Sequence, residues 1–416
     1  MDQRSGNGRP PYEPSEEKIK QLDRYREKKA PPKRMKKNAR LTRLPKWVYA
    51  VLAILLATVL ALLIWFGMDS SSGIGQWFTG ITVGNGQGDG YPTSIVGSTV
   101  SRGNFMTVNK QVVMVSDTAL TVLNNSARQV TNRQHSFQNP VLKAANSKYL
   151  IYHLGGSGFK IESNSGTVYS GNTDHNIIAG DIAQNGRYAL ITEVQGYPSA
   201  LSVYLADHSL QYRYQFSEYY MTDISLNHDG TGAAVLGITA KEGSLVSAVY
   251  IFNFSNPEPV AVLTYDEVLM EKVVYLNNGT VAAIGDTVTS MINGKTGAKV
   301  DYNYQSRKMT NYAVDNNRVA LALTPYDNGS AGKVVILDSN AAEKSVIESA
   351  GNINAVALYG DTAAILSGTQ VTGYSASGGA AFGTVNAGSD AREIALADEA
   401  TVYILGVSQV RQTRFS

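Results

Sequence analysis

The residues best suited to chemistry in this 416-residue chain are five histidines, His135, His153, His175, His208 and His228. Three stand beside an aspartate, in Asp174-His175, Asp207-His208 and His228-Asp229. An imidazole next to a carboxylate can move protons or ligate a metal. These three pairs sit in turn-like contexts, however, and no H-x-H or H-x-x-x-H spacing occurs, so solvated turn histidines are the simpler reading. The nucleophile and metalloprotease patterns G-x-S-x-G and H-E-x-x-H are absent. Gly155-Gly156-Ser157-Gly158 is followed by Phe159-Lys160-Ile161, a strand rather than a helix, so it is a hairpin turn and not a phosphate cradle. Asp327-Asn328-Gly329-Ser330 lacks the spaced ligand series of a calcium loop. With no Cys, thiolate zinc, Fe–S and cysteine nucleophiles are excluded. No Trp follows Trp77, which argues against a quinone cofactor of the kind held by tryptophan-rich propellers. No catalytic residue, metal or cofactor is expected.

Tyrosine is the unusual residue, with 24 Tyr against 10 Phe. Two clusters stand out, QYRYQFSEYY at 211–220 and DYNYQSRKMTNY at 301–312. Strand alternation puts Tyr212 with Tyr214, and Tyr302 with Tyr304, on one side of a strand, either packed against a neighbouring unit or exposed to a partner. Exposed tyrosines give large contact area at low entropic cost, together with a hydroxyl, which suits protein or glycan surfaces.

The elements that position these groups are short strands joined by turn chemistry. Gln184-Asn185-Gly186, His228-Asp229-Gly230, Asn277-Asn278-Gly279, Asp315-Asn316-Asn317 and Gly360-Asp361 each link two apolar β-rich runs, as the positive φ angles of tight hairpins require. Equivalent points at Phe105, Val141, Ile177, Thr222, Lys272, Asn311, Asn354 and Arg392 are spaced by 36, 36, 45, 50, 39, 43 and 38 residues. Periods of about 40–50 residues with four strands are the signature of propeller blades. The expected fold is an all-β propeller, eight blades favoured and seven the alternative, over residues 93–416. The last unit has room for three strands, and PTSIVGSTV before the first unit has no blade of its own, so this N-terminal strand is expected to complete the last blade and close the ring.

In that architecture the connections between blades gather on one face around the central channel. His135, Phe137, Asp174, His175, Tyr219, Tyr220, Arg307, Lys308 and Arg392, with Asp266, Glu267 and Asp390, fall on these connections and form the candidate binding rim.

Outside the repeats, WVYAVLAILLATVLALLIWFGM at 47–68 is uncharged over 22 residues. At 1.5 Å per residue that is about 33 Å, enough for a transmembrane helix, and aromatics flank both ends. Residues 1–46 hold 15 basic against 6 acidic residues, a net of +9, leaving the remainder at −7. The basic flank is expected to stay cytoplasmic, with residues 93–416 outside the cell membrane. A cleaved signal peptide would have a shorter apolar region. Residues 69–92, rich in Gly and Ser, read as a linker. The basic tail suits anionic lipid, and no nucleic-acid partner is expected.

The strand–xDG/NG–strand units resemble TolB-type and WD40-like propeller repeats, without the Trp-Asp dipeptide. The whole layout resembles a family of uncharacterised, single-pass, membrane-anchored propellers from clostridial Firmicutes. That resemblance implies a Gram-positive envelope protein of unknown function. Together these readings favour an extracytoplasmic binding or scaffold module for an envelope protein or cell-wall glycan. The alternatives are a hydrolase or lyase with an Asp/His site at the central channel, and a single-pass sensor.

Overall fold

The computed structural model describes residues 87–325, 332–349 and 351–415. The basic tail, the expected 47–68 span, most of the 69–92 linker, and residues 327–330 lie outside the described residues.

Eight four-stranded antiparallel sheets follow one another. Their innermost strands are Val100–Val108, Pro140–Ala145, Ile177–Ile182, Tyr220–Leu226, Met270–Tyr275, Arg307–Asp315, Ala355–Tyr359 and Glu393–Leu396, numbered here as blades 1 to 8. Each expected repeat point lies on one of these strands or, for Asn354 and Arg392, one residue before it. Blade 8 is closed by the N-terminal strand Thr93–Ser94, which pairs with Gln409–Arg414 through Thr93↔Val410 and Ser94↔Gln409. Ring closure at the seam is therefore as the sequence implies, with a shorter strand than PTSIVGSTV suggested.

The hairpin turns adopt the backbone that their residues permit: φ is 90° at Gly186, 85° at Gly279 and 50° at Asn316. The turns also bridge neighbouring blades. Asn109 Nδ2 donates to Asn146 Oδ1 (3.0 Å), Asn185 Nδ2 to the Asp229 carbonyl (2.7 Å), Asn277 Nδ2 to Asn316 Oδ1 (2.8 Å) and Asp361 N to Glu399 Oε1 (2.9 Å). The side-chain amides that make these turns thus also tie blade to blade on what is here called the hairpin face.

Middle strands such as Arg318–Pro325 (RVALALTP) are almost wholly apolar because a blade covers each face, and Val319 to Leu323 are fully buried. Outermost strands such as Thr167–Asn172 alternate between exposed and half-buried residues. The buried apolar side chains form clusters that straddle adjacent blades. One joins blades 3 and 4 through Ala189, Leu201, Phe216, Val235 and Phe252. Another crosses the seam between blades 8 and 1 through Phe105, Met114, Tyr403 and Leu405. Each fully buried Leu, Val or Phe stabilises this packing by about 1.5–3 kcal/mol, so the blades hold one another in place. Ahead of the closing strand, Tyr91 packs on Tyr403 (centroids 5.3 Å apart) and its hydroxyl donates to the Asn124 carbonyl.

Candidate functional site

Because every blade begins with its innermost strand, the connections between blades all emerge on the face opposite the hairpin turns. The expected rim residues therefore lie on one face, but in different states. Asp174 and His175 are exposed, and neither side chain is engaged by an ion pair or side-chain hydrogen bond. Lys308 and Arg392 are likewise exposed. Arg307 is half-buried, and its Nη1 is enclosed without a hydrogen-bond partner. Asp390 is committed to Arg411 (2.7 Å) and to the Val407 N–H.

The tyrosine pair splits. Tyr220 is 64% exposed, whereas Tyr219 is only 2% exposed and packs edge-on against Tyr250, with Lys241 Nζ 5.3 Å from its ring centre. Tyr219 is therefore a core residue, not a rim residue. Two successive residues entering a strand point to opposite sides, so one of any such doublet must turn inward.

His135 and Phe137 form a stack that continues to His153, with centroid separations of 5.5 and 6.0 Å. The Phe137 N–H donates to His135 Nδ1 (3.2 Å), which leaves Nε2 to donate to the Ser116 carbonyl (3.1 Å). This is the neutral tautomer, and burial lowers the pKa of the ring. His208 is not a solvated turn residue either: it stacks on Tyr169 at 4.0 Å, and burial lowers its pKa too. The outer-strand tyrosines serve packing. Tyr212 and Tyr214 lie against Phe252 of blade 4, and Tyr302 donates to Glu343 of blade 6.

The channel itself holds groups that sequence reasoning did not single out. Lys143, Asp181, Asp223 and Lys272 come from the innermost strands of blades 2, 3, 4 and 5. Asp223 Oδ1 accepts from Lys272 Nζ at 2.7 Å and lies 3.6 Å from Lys143 Nζ, while Oδ2 accepts from the Val273 N–H at 3.0 Å. Asp181 Oδ2 accepts from the Leu226 N–H at 2.7 Å. The side chains of Lys143, Asp223 and Lys272 are 19%, 12% and 22% exposed. Burial opposes ionisation of Asp223, but the two ammonium groups outweigh it and hold its pKa down. Burial and the Lys143 ammonium push Lys272 down to about 8. Burial also opposes the Lys143 charge, yet the carboxylates of Asp223 and Asp181 overcome it and raise its pKa. At Asp181, burial prevails and the pKa rises.

The two aspartates cap backbone groups on the free edge of the next innermost strand. Asn104 does the same between blades 1 and 2, accepting from the Leu142 N–H (2.9 Å) and donating to the Pro140 carbonyl (2.7 Å). Arg102 of blade 1 reaches the Thr310 carbonyl of blade 6 at 3.3 Å, across two intervening blades. The sequence signal was present: PVLKAA, IIAGDI, MTDISL and MEKVVY each carry a charge inside a largely apolar strand, in four successive units.

The other side of the channel is open. A cavity of about 780 Å³ is lined by Phe105, Met106, Thr107, Asn109 and Lys110 of blade 1, by Val274 of blade 5, and by residues of blades 6, 7 and 8, including Ala313, Asp315, Ala357 and Ala395. Tyr312 stands in its wall and also faces Asp223 and Lys143; burial raises its pKa to about 12. Glu393 borders the cavity, and burial lifts its carboxyl to about 7 against the opposing pull of the Gly103 N–H, Arg102 and Arg392. Among the described residues no group of three His, Asp or Glu is placed to hold a metal ion, and the Asp174–His175 pair is joined by no further carboxylate.

A family described as "Family of unknown function (DUF5711)" matches residues 90–412. No curated protein matches the chain. Solved structures show the same fold at low identity. The C-terminal WD40 domain of Sif2 aligns with a TM-score of 0.55 at 9% identity, over 79% of this chain and 99% of that one. The computationally designed Ika8 protein gives 0.52 at 13% identity, over 79% and 98%. Sqt1 of Saccharomyces cerevisiae gives 0.52 at 10% identity, over 78% and 100%.

Proposed function

The chain belongs to the Family of unknown function (DUF5711), and from that premise we propose that it is a binding or scaffold propeller held at the cell membrane by residues 47–68. Its domain lies outside the cell and recognises an envelope protein or cell-wall glycan through the connection face. The observation that carries this reading is the set of side chains on that face without structural duties: Tyr220, Asp174, His175, Lys308 and Arg392 are exposed and free of ion pairs. An eight-bladed propeller is a stiff platform for such a rim, because each blade is packed on both sides. The +9 tail supports the orientation and gives anionic lipid a further contact.

A benzophenone amino acid placed at position 220, on the connection face, is expected to crosslink a partner in intact cells, and the same probe at position 255, on the hairpin face, is not. Absence of a product from position 220 would sink the rim assignment. Topology is separable from partner choice because the chain has no Cys. A membrane-impermeant maleimide should label Ser255→Cys in intact cells and leave Ser15→Cys unlabelled; the reverse pattern would refute the orientation.

A further inference from the structure

The geometry points to the open side of the central channel as a binding site for an organic monoammonium ion, with its charged head at Glu393 and its apolar body along the alanine-bearing strands of blades 6 to 8. The cavity volume, about 780 Å³, is in the range that holds a small organic ligand. Its wall combines Ala313, Val356, Ala357, Leu358, Ala395 and Leu396 with two half-buried carboxylates, of which Asp315 already accepts from the Gly360 N–H and Asn316 Nδ2. Glu393 is poorly satisfied: among the described residues its one hydrogen bond is from the Gly103 N–H at 3.5 Å, and none of them brings an ammonium or guanidinium within ion-pair distance. Asp223, by contrast, is fully engaged by Lys272, Lys143 and the Val273 N–H.

A half-buried carboxylate with unused lone pairs favours a donor that carries charge. An ammonium pairs with the Glu393 carboxylate, and a carboxylate is repelled by it. Lys110, a further wall residue, sits at a hairpin turn, where the cavity reaches that face. This site is independent of the connection rim, and either can fail without the other.

The test is calorimetric titration of the purified full-length protein with n-hexylammonium, n-hexanol and n-hexanoate at pH 8. Saturable binding of n-hexylammonium is expected, at least tenfold tighter than n-hexanol, with n-hexanoate weaker still. Glu393→Gln should weaken n-hexylammonium at least tenfold and bring it level with n-hexanol. Ala313→Leu should block all three by filling the cavity; if that variant does not fold, Ala313→Val serves. Equal binding of n-hexanoate, unchanged n-hexylammonium affinity in Glu393→Gln, or no saturable binding by the wild type would each overturn the assignment.

Discussion

Two halves of one channel meet the same problem in different ways. Each innermost strand leaves one backbone edge facing the axis, and those polar groups must be satisfied. In blades 2 to 5 charged side chains do this: Asp181 takes the Leu226 N–H, Asp223 takes the Val273 N–H, and Lys143 and Lys272 neutralise Asp223. In blades 6 to 8 the strands carry Ala313, Ala357 and Ala395, and a cavity remains beside a weakly bonded Glu393. The difference teaches that charged edge-capping and ligand space are assigned to separate arcs. The charged arc links blades 2 to 5 through side chains, and the open arc, which carries the closing seam of blades 8 and 1, leaves space beside Glu393.

The contrast breaks most readily at Asp223. Asp223→Ala leaves two buried ammonium groups without their shared carboxylate, and is expected to destabilise the domain by about 3–5 kcal/mol in urea unfolding. A change below about 1 kcal/mol would show that the cluster is well solvated and does not hold the ring. The same distinction between committed and free groups recurs at the rim. Tyr219→Ala removes a buried ring and should cost about 3–4 kcal/mol by the same assay.

In the open arc the expected effect is smaller and opposite in sign. The folded-state pKa of Glu393, about 7, is above its ordinary 4.5. The stability this provides is therefore fully present below about pH 4.5 and is lost as pH rises through 7. Glu393→Gln should remove that loss, raising stability at pH 8 by on the order of 1–2 kcal/mol, with little effect at pH 4.5, as read from urea midpoints at the two pH values. Asp223 has the reverse dependence: its pKa is held low, so its contribution is present above the ordinary aspartate range and fades as pH falls. Smallest of all, Tyr220→Ala should leave stability within about 0.5 kcal/mol, because its ring is already in solvent, while weakening partner crosslinking from a benzophenone placed instead at position 308.

Much of this fold could be read from local chemistry. Asn185-Gly186 and Asn278-Gly279 specify turns by their backbone freedom, and their recurrence at propeller spacing implies a ring whose N-terminal strand must fill the last blade. The rim was legible as a location, because topology alone puts Asp174, His175, Lys308 and Arg392 on one face. It was less legible side chain by side chain: Tyr219 and Tyr220 have the same chemistry, and only strand alternation separates them. Lys143, Asp181, Asp223 and Lys272 left a trace as charges inside apolar strands. Their mutual contact could not be inferred, since they are up to 129 residues apart and meet only when eight blades close around an axis. The cavity leaves no sequence trace, because alanines in blades 6 to 8 look like any strand residue until the opposite wall is in place.

The most direct test of the division between the arcs is equilibrium unfolding of Asp223→Asn and Glu393→Gln side by side at pH 8. Opposite signs are predicted: Asp223→Asn loses several kcal/mol, on the order of 3, and Glu393→Gln is at least as stable as the wild type. Destabilisation of both by similar amounts would contradict the account, since Glu393 would then be as much a structural member of the ring as Asp223.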